Sequence, residues 1–118
     1  MADSRHSYVD SEVVLVLSTF SDLSKAETCA GYLVEHSIAA CVQIDGPIRS
    51  LYQWKGSIEN DQEFRLLIKT SPESLARCVS ALKQNHPYEL PEIVVLHAHA
   101  SAAYASWVTE QTSGKEKD

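Results

Sequence analysis

Val13-Val14-Leu15-Val16-Leu17 is almost continuously apolar and rich in β-branched side chains, the composition of a central strand covered on both faces. The residues after it set the order of elements. Ser24-Lys25-Ala26-Glu27 has the form of a capping box, in which a Ser hydroxyl and a Glu carboxylate satisfy orphan amides at a helix start. Ala26, Ala30, Leu33 and Val34 then recur on one helical face. Ala39 to Ile44 reads as a second strand, ended by Asp45-Gly46-Pro47, where Gly and Pro break regular pairing.

Outward from this strand-helix-strand unit, Ile48, Tyr52 and Trp54 fall on one face of an extended segment. Phe64, Leu66 and Ile68 alternate in the same way after the polar stretch Glu59-Asn60-Asp61-Gln62, which predicts a long hairpin. Ser71-Pro72-Glu73 opens a second helix with Leu75, Cys78, Val79 and Leu82 as its buried stripe, and His86-Pro87 ends it. Ile93 to Leu96 makes another strand, and Ala102 to Thr109 a short last helix carrying Tyr104 and Trp107 three residues apart. Two helices among four main strands in this order predict an α+β fold, a split βαβ sandwich with an antiparallel sheet and both helices on one face. One short C-terminal helix cannot hide the other face. With Tyr52, Trp54, Tyr104 and Trp107 to cover, self-association is expected.

The chain has 118 residues and 44% hydrophobic content, enough for one core without disulfide or zinc staples. Residues 11–112 are expected to form a single domain, flanked by polar tails at 1–10 and 113–118. Ten Lys and Arg against sixteen Asp and Glu give a net charge of −6, and the basic residues are scattered, which argues against nucleic acid as a partner. No transmembrane segment or signal peptide is readable, so no membrane partner is expected. Cys29, Cys41 and Cys78 are odd in number and form no CxxC pair, which fits reduced thiols and a cytoplasmic location. No GxSxG, HExxH, P-loop or GxGxxG motif occurs, so an enzyme is not expected.

Ala39-Ala40-Cys41-Val42, Ser50-Leu51-Tyr52-Gln53-Trp54-Lys55-Gly56 and His86-Pro87-Tyr88-Glu89-Leu90-Pro91-Glu92 closely resemble the CutA (divalent cation tolerance) family, as does Tyr104-Ala105-Ser106-Trp107. The likeness runs from about residue 12 to 109, and the pairing of an HPYExPE box with an upstream YxWxG box is specific. The resemblance implies a ferredoxin-like subunit in a tight homotrimer, similar in architecture to PII signalling proteins, with a role in tolerance to copper and other divalent metals. Members credited with copper binding carry a Cys at the end of strand one and two adjacent His before the Pro-Tyr. Here Ser18 and Asn85 stand at those positions and only His86 remains. After Leu96 the family usually continues with Pro, where this chain has His97-Ala98-His99.

The candidate metal ligands are therefore His86, Glu89 and Glu92, which share a proline-restricted segment, with Cys41, His97 and His99. Each has a plainer reading. Cys41 reads as a small buried hydrophobe in an apolar strand, and the His86 segment as a helix end and charge network. His97 and His99, two apart on a strand, face the same way and form a chelate only if the extended conformation continues through Ala98. Tyr52, Trp54, Tyr88, Tyr104 and Trp107 are assigned to a trimer interface rather than to a stacking platform. The leading expectation is a trimeric protein binding copper or another divalent ion. The alternative is a PII-like regulatory module that takes a small ligand in clefts between subunits, with a protein partner.

Overall fold

A computed structural model describes residues 11–113; residues 1–10 and 114–118, most of the expected tails, lie outside them. The elements run β1 (Glu12–Phe20), α1 (Leu23–Glu35), β2 (Cys41–Trp54), β3 (Ser57–Thr70), a 3-10 turn (Pro72–Ser74), α2 (Leu75–Asn85), β4 (Val94–His99) and α3 (Ala102–Gln111). The sheet is antiparallel in the order β2-β3-β1-β4, the split βαβ arrangement of a ferredoxin-like α+β fold.

Even-numbered β1 residues face α1 and α2. Val14, Val16 and Phe20 are fully buried there with Leu66 and Ile68 of β3, Ala26, Cys29 and Leu33 of α1, and Cys78 and Leu82 of α2. Burial pushes the Cys29 thiol up to about 11 and the Cys78 thiol up to about 12, so both stay protonated core fillers. Odd-numbered β1 residues face the other way. Among the described residues only α3 covers that side, through Ala105 and Val108 against Val13, while Leu15, Ala40 and Ala100 border the contact. Ser71 Oγ shares a 2.8 Å hydrogen bond with Thr112 Oγ1, and Ser74 Oγ donates to Thr112 O at 2.9 Å, which ties the end of α3 to the start of α2 in a buried polar latch.

Five local expectations need correction. The helix cap is Asp22, whose carboxylate accepts from Ser24 N at 2.8 Å and from Ser24 Oγ at 2.9 Å, so Ser24 lies inside the first turn and no capping box forms. Those hydrogen bonds hold the Asp22 carboxyl below its usual range. Val34 is exposed because Cys29 and Ala30, with Ala26 and Leu33, define the buried stripe. Ser71 does not cap with its side chain, since its hydroxyl is spent on Thr112.

The second strand does not stop at Asp45-Gly46-Pro47 but runs through it as a β-bulge, with pairing shifted between Asp45 and Ile48. Gly46 has φ +142, and a Cβ there would lie 2.9 Å from both Glu63 O and Phe64 Cδ1, so the position admits only glycine without strain. Finally, the polar stretch Glu59–Gln62 is part of β3 rather than a connection. The hairpin turns at Lys55-Gly56, both with positive φ, a two-residue loop closed by Trp54 opposite Ser57.

The bulge decides the arm's chemistry. Opposite Arg65 stands Asp45, and opposite Glu63 stands Ile48, so one extra residue on β2 switches the parity of every side chain beyond it. Before the bulge Val42 and Ile44 join the helix-covered core. After it Ile48, Tyr52 and Trp54 lie opposite Glu63, Glu59 and Ser57, on the sheet's open face. The two 14-residue strands carry this arm out to a molecular length of 57 Å.

Candidate functional site

The open face holds a cleft of about 710 Å³ where the arm leaves the sheet. β1 contributes Thr19 at its C-terminal end, the arm contributes Tyr52, Trp54, Asp61 and Glu63, and the segment after α2 contributes Tyr88, Glu89, Leu90 and Glu92. Tyr88 hydroxyl donates to Glu63 Oε2 at 2.6 Å, and Tyr52 hydroxyl donates to Asp61 Oδ2. The bond to Asp61 pushes the Tyr52 phenol up to about 12, while burial and the bond to Glu63 raise that of Tyr88. Both phenols are therefore fixed donors to carboxylates. Lys55 at the turn lies 3.9 Å from Glu89, a pair exposed on both sides and of small energetic weight.

His86 stands behind this cleft, stacked on Phe20 at 4.2 Å and edge-on to Tyr88 at 4.7 Å. Its Nδ1 accepts from Tyr88 N at 3.2 Å, so Nε2 carries the proton and donates to Thr19 O at 2.8 Å. Burial lowers its pKa below the usual 6.5, favouring the neutral ring. A neutral imidazole with both nitrogens engaged is a structural pin between α2 and β1. Asn85, the residue before His86, donates to Ala81 O at 2.8 Å. Ser18 is fully buried, with no partner for its hydroxyl among the described residues.

The other candidates are dispersed. Cys41 is only half-buried, a correction to its reading as core filler: it pairs in register with Lys69, which places it on the open face. His97 and His99 do share a face, because β4 continues through Ala98, but it is the helix side, beyond the helices' reach. There Glu12, opposite His99, turns its carboxylate onto His97 Nδ1. Nothing in the sequence pattern singles out Glu12, since only the β1–β4 register brings it near. Among the described residues no three His, Cys, Asp or Glu side chains converge as an ion-binding group. The described donors of one protomer thus do not gather around a divalent ion by themselves. Tyr104 and Trp107 pack at 5.6 Å on α3, with Lys69 Nζ 5.6 Å from the Tyr104 ring. They lie at the other end of the open face from Tyr52, Trp54 and Tyr88.

The family model described as CutA1 divalent ion tolerance protein matches residues 14–111. The chain belongs to the CutA1 family. It is 40% identical over 102 residues to the divalent-cation tolerance protein CutA of Thermus thermophilus, covering 86% of this chain and 97% of that one. The crystal structure of CutA from Xylella fastidiosa superimposes with a TM-score of 0.82 at 36% identity, over 85% of this chain and 97% of its own. A protein from Archaeoglobus fulgidus described as a periplasmic divalent cation tolerance protein CutA matches at 32% identity and a TM-score of 0.80, over 85% and 98%. The relatives are thus named for divalent-cation tolerance and not for a reaction. No helix among the described residues of this CutA1 family member is long and apolar enough to cross a membrane.

Proposed function

We propose that the chain works as a homotrimeric, non-enzymatic divalent-cation tolerance protein that binds copper or another divalent ion through ligands drawn from more than one protomer. Membership of the CutA1 family carries this reading. The open sheet face supports the assembly, since Val94 and Leu96 remain 43% and 47% exposed between the aromatic groups at its two ends. The dispersal of Cys41, Glu89, Glu92, His97 and His99 supports ligation across subunits, because the described residues of one protomer gather too few donors. Three free thiols favour a reducing, cytoplasmic setting.

Light scattering is expected to give a trimer at micromolar concentration; a monomer overturns the assembly. Calorimetric titration with Cu(II) is expected to show binding that weakens as pH falls through about 6.5, because only neutral imidazole donates its lone pair. An affinity unchanged in His97→Ala/His99→Ala removes that pair from the ligand set. A second reading, a PII-like module that binds a small ligand, is favoured by one observation, the cleft at the base of the arm. Its mark is a ligand-dependent rise in unfolding temperature without added metal.

A further inference from the structure

We propose that the β1–β4 edge of the sheet holds a Cu(II) ion on the imidazoles of His97 and His99, with Glu12 as the positioning residue that presents His97 Nε2 to it; this rests on the divalent-ion reading above. The strand register brings the three side chains together. His99 stands opposite Glu12 and His97 opposite Val14, so all three project to the helix side of the sheet, away from the open face given to the assembly. They also lie outside the core. The His97 and Glu12 side chains are 61% and 38% exposed, and His99 is exposed as well.

The other described histidines are spent elsewhere. His36, at the end of α1, places its Nδ1 on Tyr32 O, and both nitrogens of His86 are engaged. Along β4 the extended backbone sets His97 and His99 roughly 7 Å apart on one face, while Ala98, opposite Val13, turns to the other. Two rings rising from such positions can close on one ion.

Glu12 fixes which nitrogen His97 offers. A carboxylate only accepts, so Nδ1 carries the proton in the bond to Glu12 Oε2, and the lone pair of the neutral ring is left on Nε2. A carboxylate behind a metal-bound imidazole holds the ring in orientation and makes the other nitrogen a stronger donor. As an ion pair between solvent-facing side chains the same contact has little energetic weight. Its consequence is therefore the direction of Nε2 rather than stability. Engaged with His97, the carboxylate is not counted as a third ligand, which agrees with the lack of any three-donor group among the described residues. Two imidazole nitrogens with water oxygens in the remaining positions suit the tetragonal preference of Cu(II), which also heads the affinity order of divalent first-row ions.

The test is titration of the full-length protein with Cu(II), followed by calorimetry and by electron paramagnetic resonance. Saturable binding with couplings from two imidazole nitrogens is expected, and Zn(II) should bind more weakly. His99→Ala should leave a single coupled nitrogen. Glu12→Ala should weaken binding about tenfold while both nitrogens stay in the spectrum. Glu12→Gln, whose carbonyl still accepts from Nδ1, should recover most of that loss. In the metal-free protein at about pH 8, above the ordinary imidazole value, nitrogen-15 spectra should show His97 protonated at Nδ1, a preference lost in Glu12→Ala. An unchanged affinity and spectrum in His97→Ala/His99→Ala overturns the site and leaves the divalent-ion reading standing, whereas no Cu(II) binding to the wild type overturns both. Equal losses in Glu12→Gln and Glu12→Ala, or a His97 ring protonated at Nε2, overturn the positioning role.

Discussion

The two faces of the sheet are made by the same strands, and they end in opposite states. On the helix side Val14, Val16, Phe20, Leu66 and Ile68 reach zero exposure, closed by the chain's own α1 and α2. On the open side Val94 and Leu96 remain nearly half exposed, and α3 covers only the end near Val13. Period-2 alternation places apolar residues on both sides alike, so the pattern of a strand reveals that a face must be covered but not by what. One face is completed by the chain's own α1 and α2; among the described residues the other is covered only where α3 packs.

The largest expected effect separates the faces by mechanism. Leu66→Ala should lower the unfolding free energy by about 3 kcal/mol, the range for a buried leucine leaving a cavity, and it should do so at every protein concentration. Leu96→Ala should instead change the concentration at which protomers associate. Equal, concentration-independent losses in urea titrations of the two variants would break the distinction.

Gly46→Ala comes next, because the bulge assigns Tyr52 and Trp54 to the open face. The forced φ of +142 and the 2.9 Å approach to Glu63 O and Phe64 Cδ1 should cost about 2 kcal/mol, the range for a strained backbone residue. The variant should also lose Trp54 from its present setting, seen as a red shift in indole emission. A variant as stable as wild type with unchanged emission would show that the bulge does not need its glycine.

Ser18→Ala sharpens the contrast from the covered side, where it should raise stability by about 1 kcal/mol by removing a buried hydroxyl with no partner. A loss measured by thermal unfolding would mean that the hydroxyl is satisfied in solution.

The smallest effect is a pH slope. Burial holds the folded pKa of His86 below 6.5, so between those two values the unfolded chain binds the additional proton. Stability is then complete above about 6.5 and declines as pH falls toward the folded pKa. His86→Gln should flatten that part of the profile of unfolding temperature against pH. An unchanged slope would place the acid sensitivity elsewhere.

The motifs HPYExPE and YxWxG, together with the order of apolar runs, made the family and the α+β sandwich readable from the chain alone. The motifs carried the family resemblance, and the apolar runs carried the elements, because strand and helix periodicities are local properties of the sequence. The arm's course through Gly46-Pro47 was not readable, since Gly and Pro signal a break equally well whether a strand ends or bulges. The turn at Lys55-Gly56 was obscured for a similar reason, as a lysine at positive φ gives no asparagine-glycine signal.

Candidate ligands fared differently by location. The sequence reading ends the last strand at Leu96 and leaves the extension through Ala98 open, which β4 makes by running to His99, whereas the engagement of both His86 nitrogens depends on Thr19 O and Tyr88 N. The sequence by itself determined which residues form strands and helices, the acidic charge and the family. Only tertiary structure decided that Asp61, Glu63, Glu89 and Glu92 share one cleft, that Glu12 meets His97 and that Cys41 leaves the core. The reason is physical. Element formation depends on neighbours a few residues away, while these encounters depend on register, on one inserted residue at a bulge and on a loop folding back across a sheet, each fixed by packing over the whole chain.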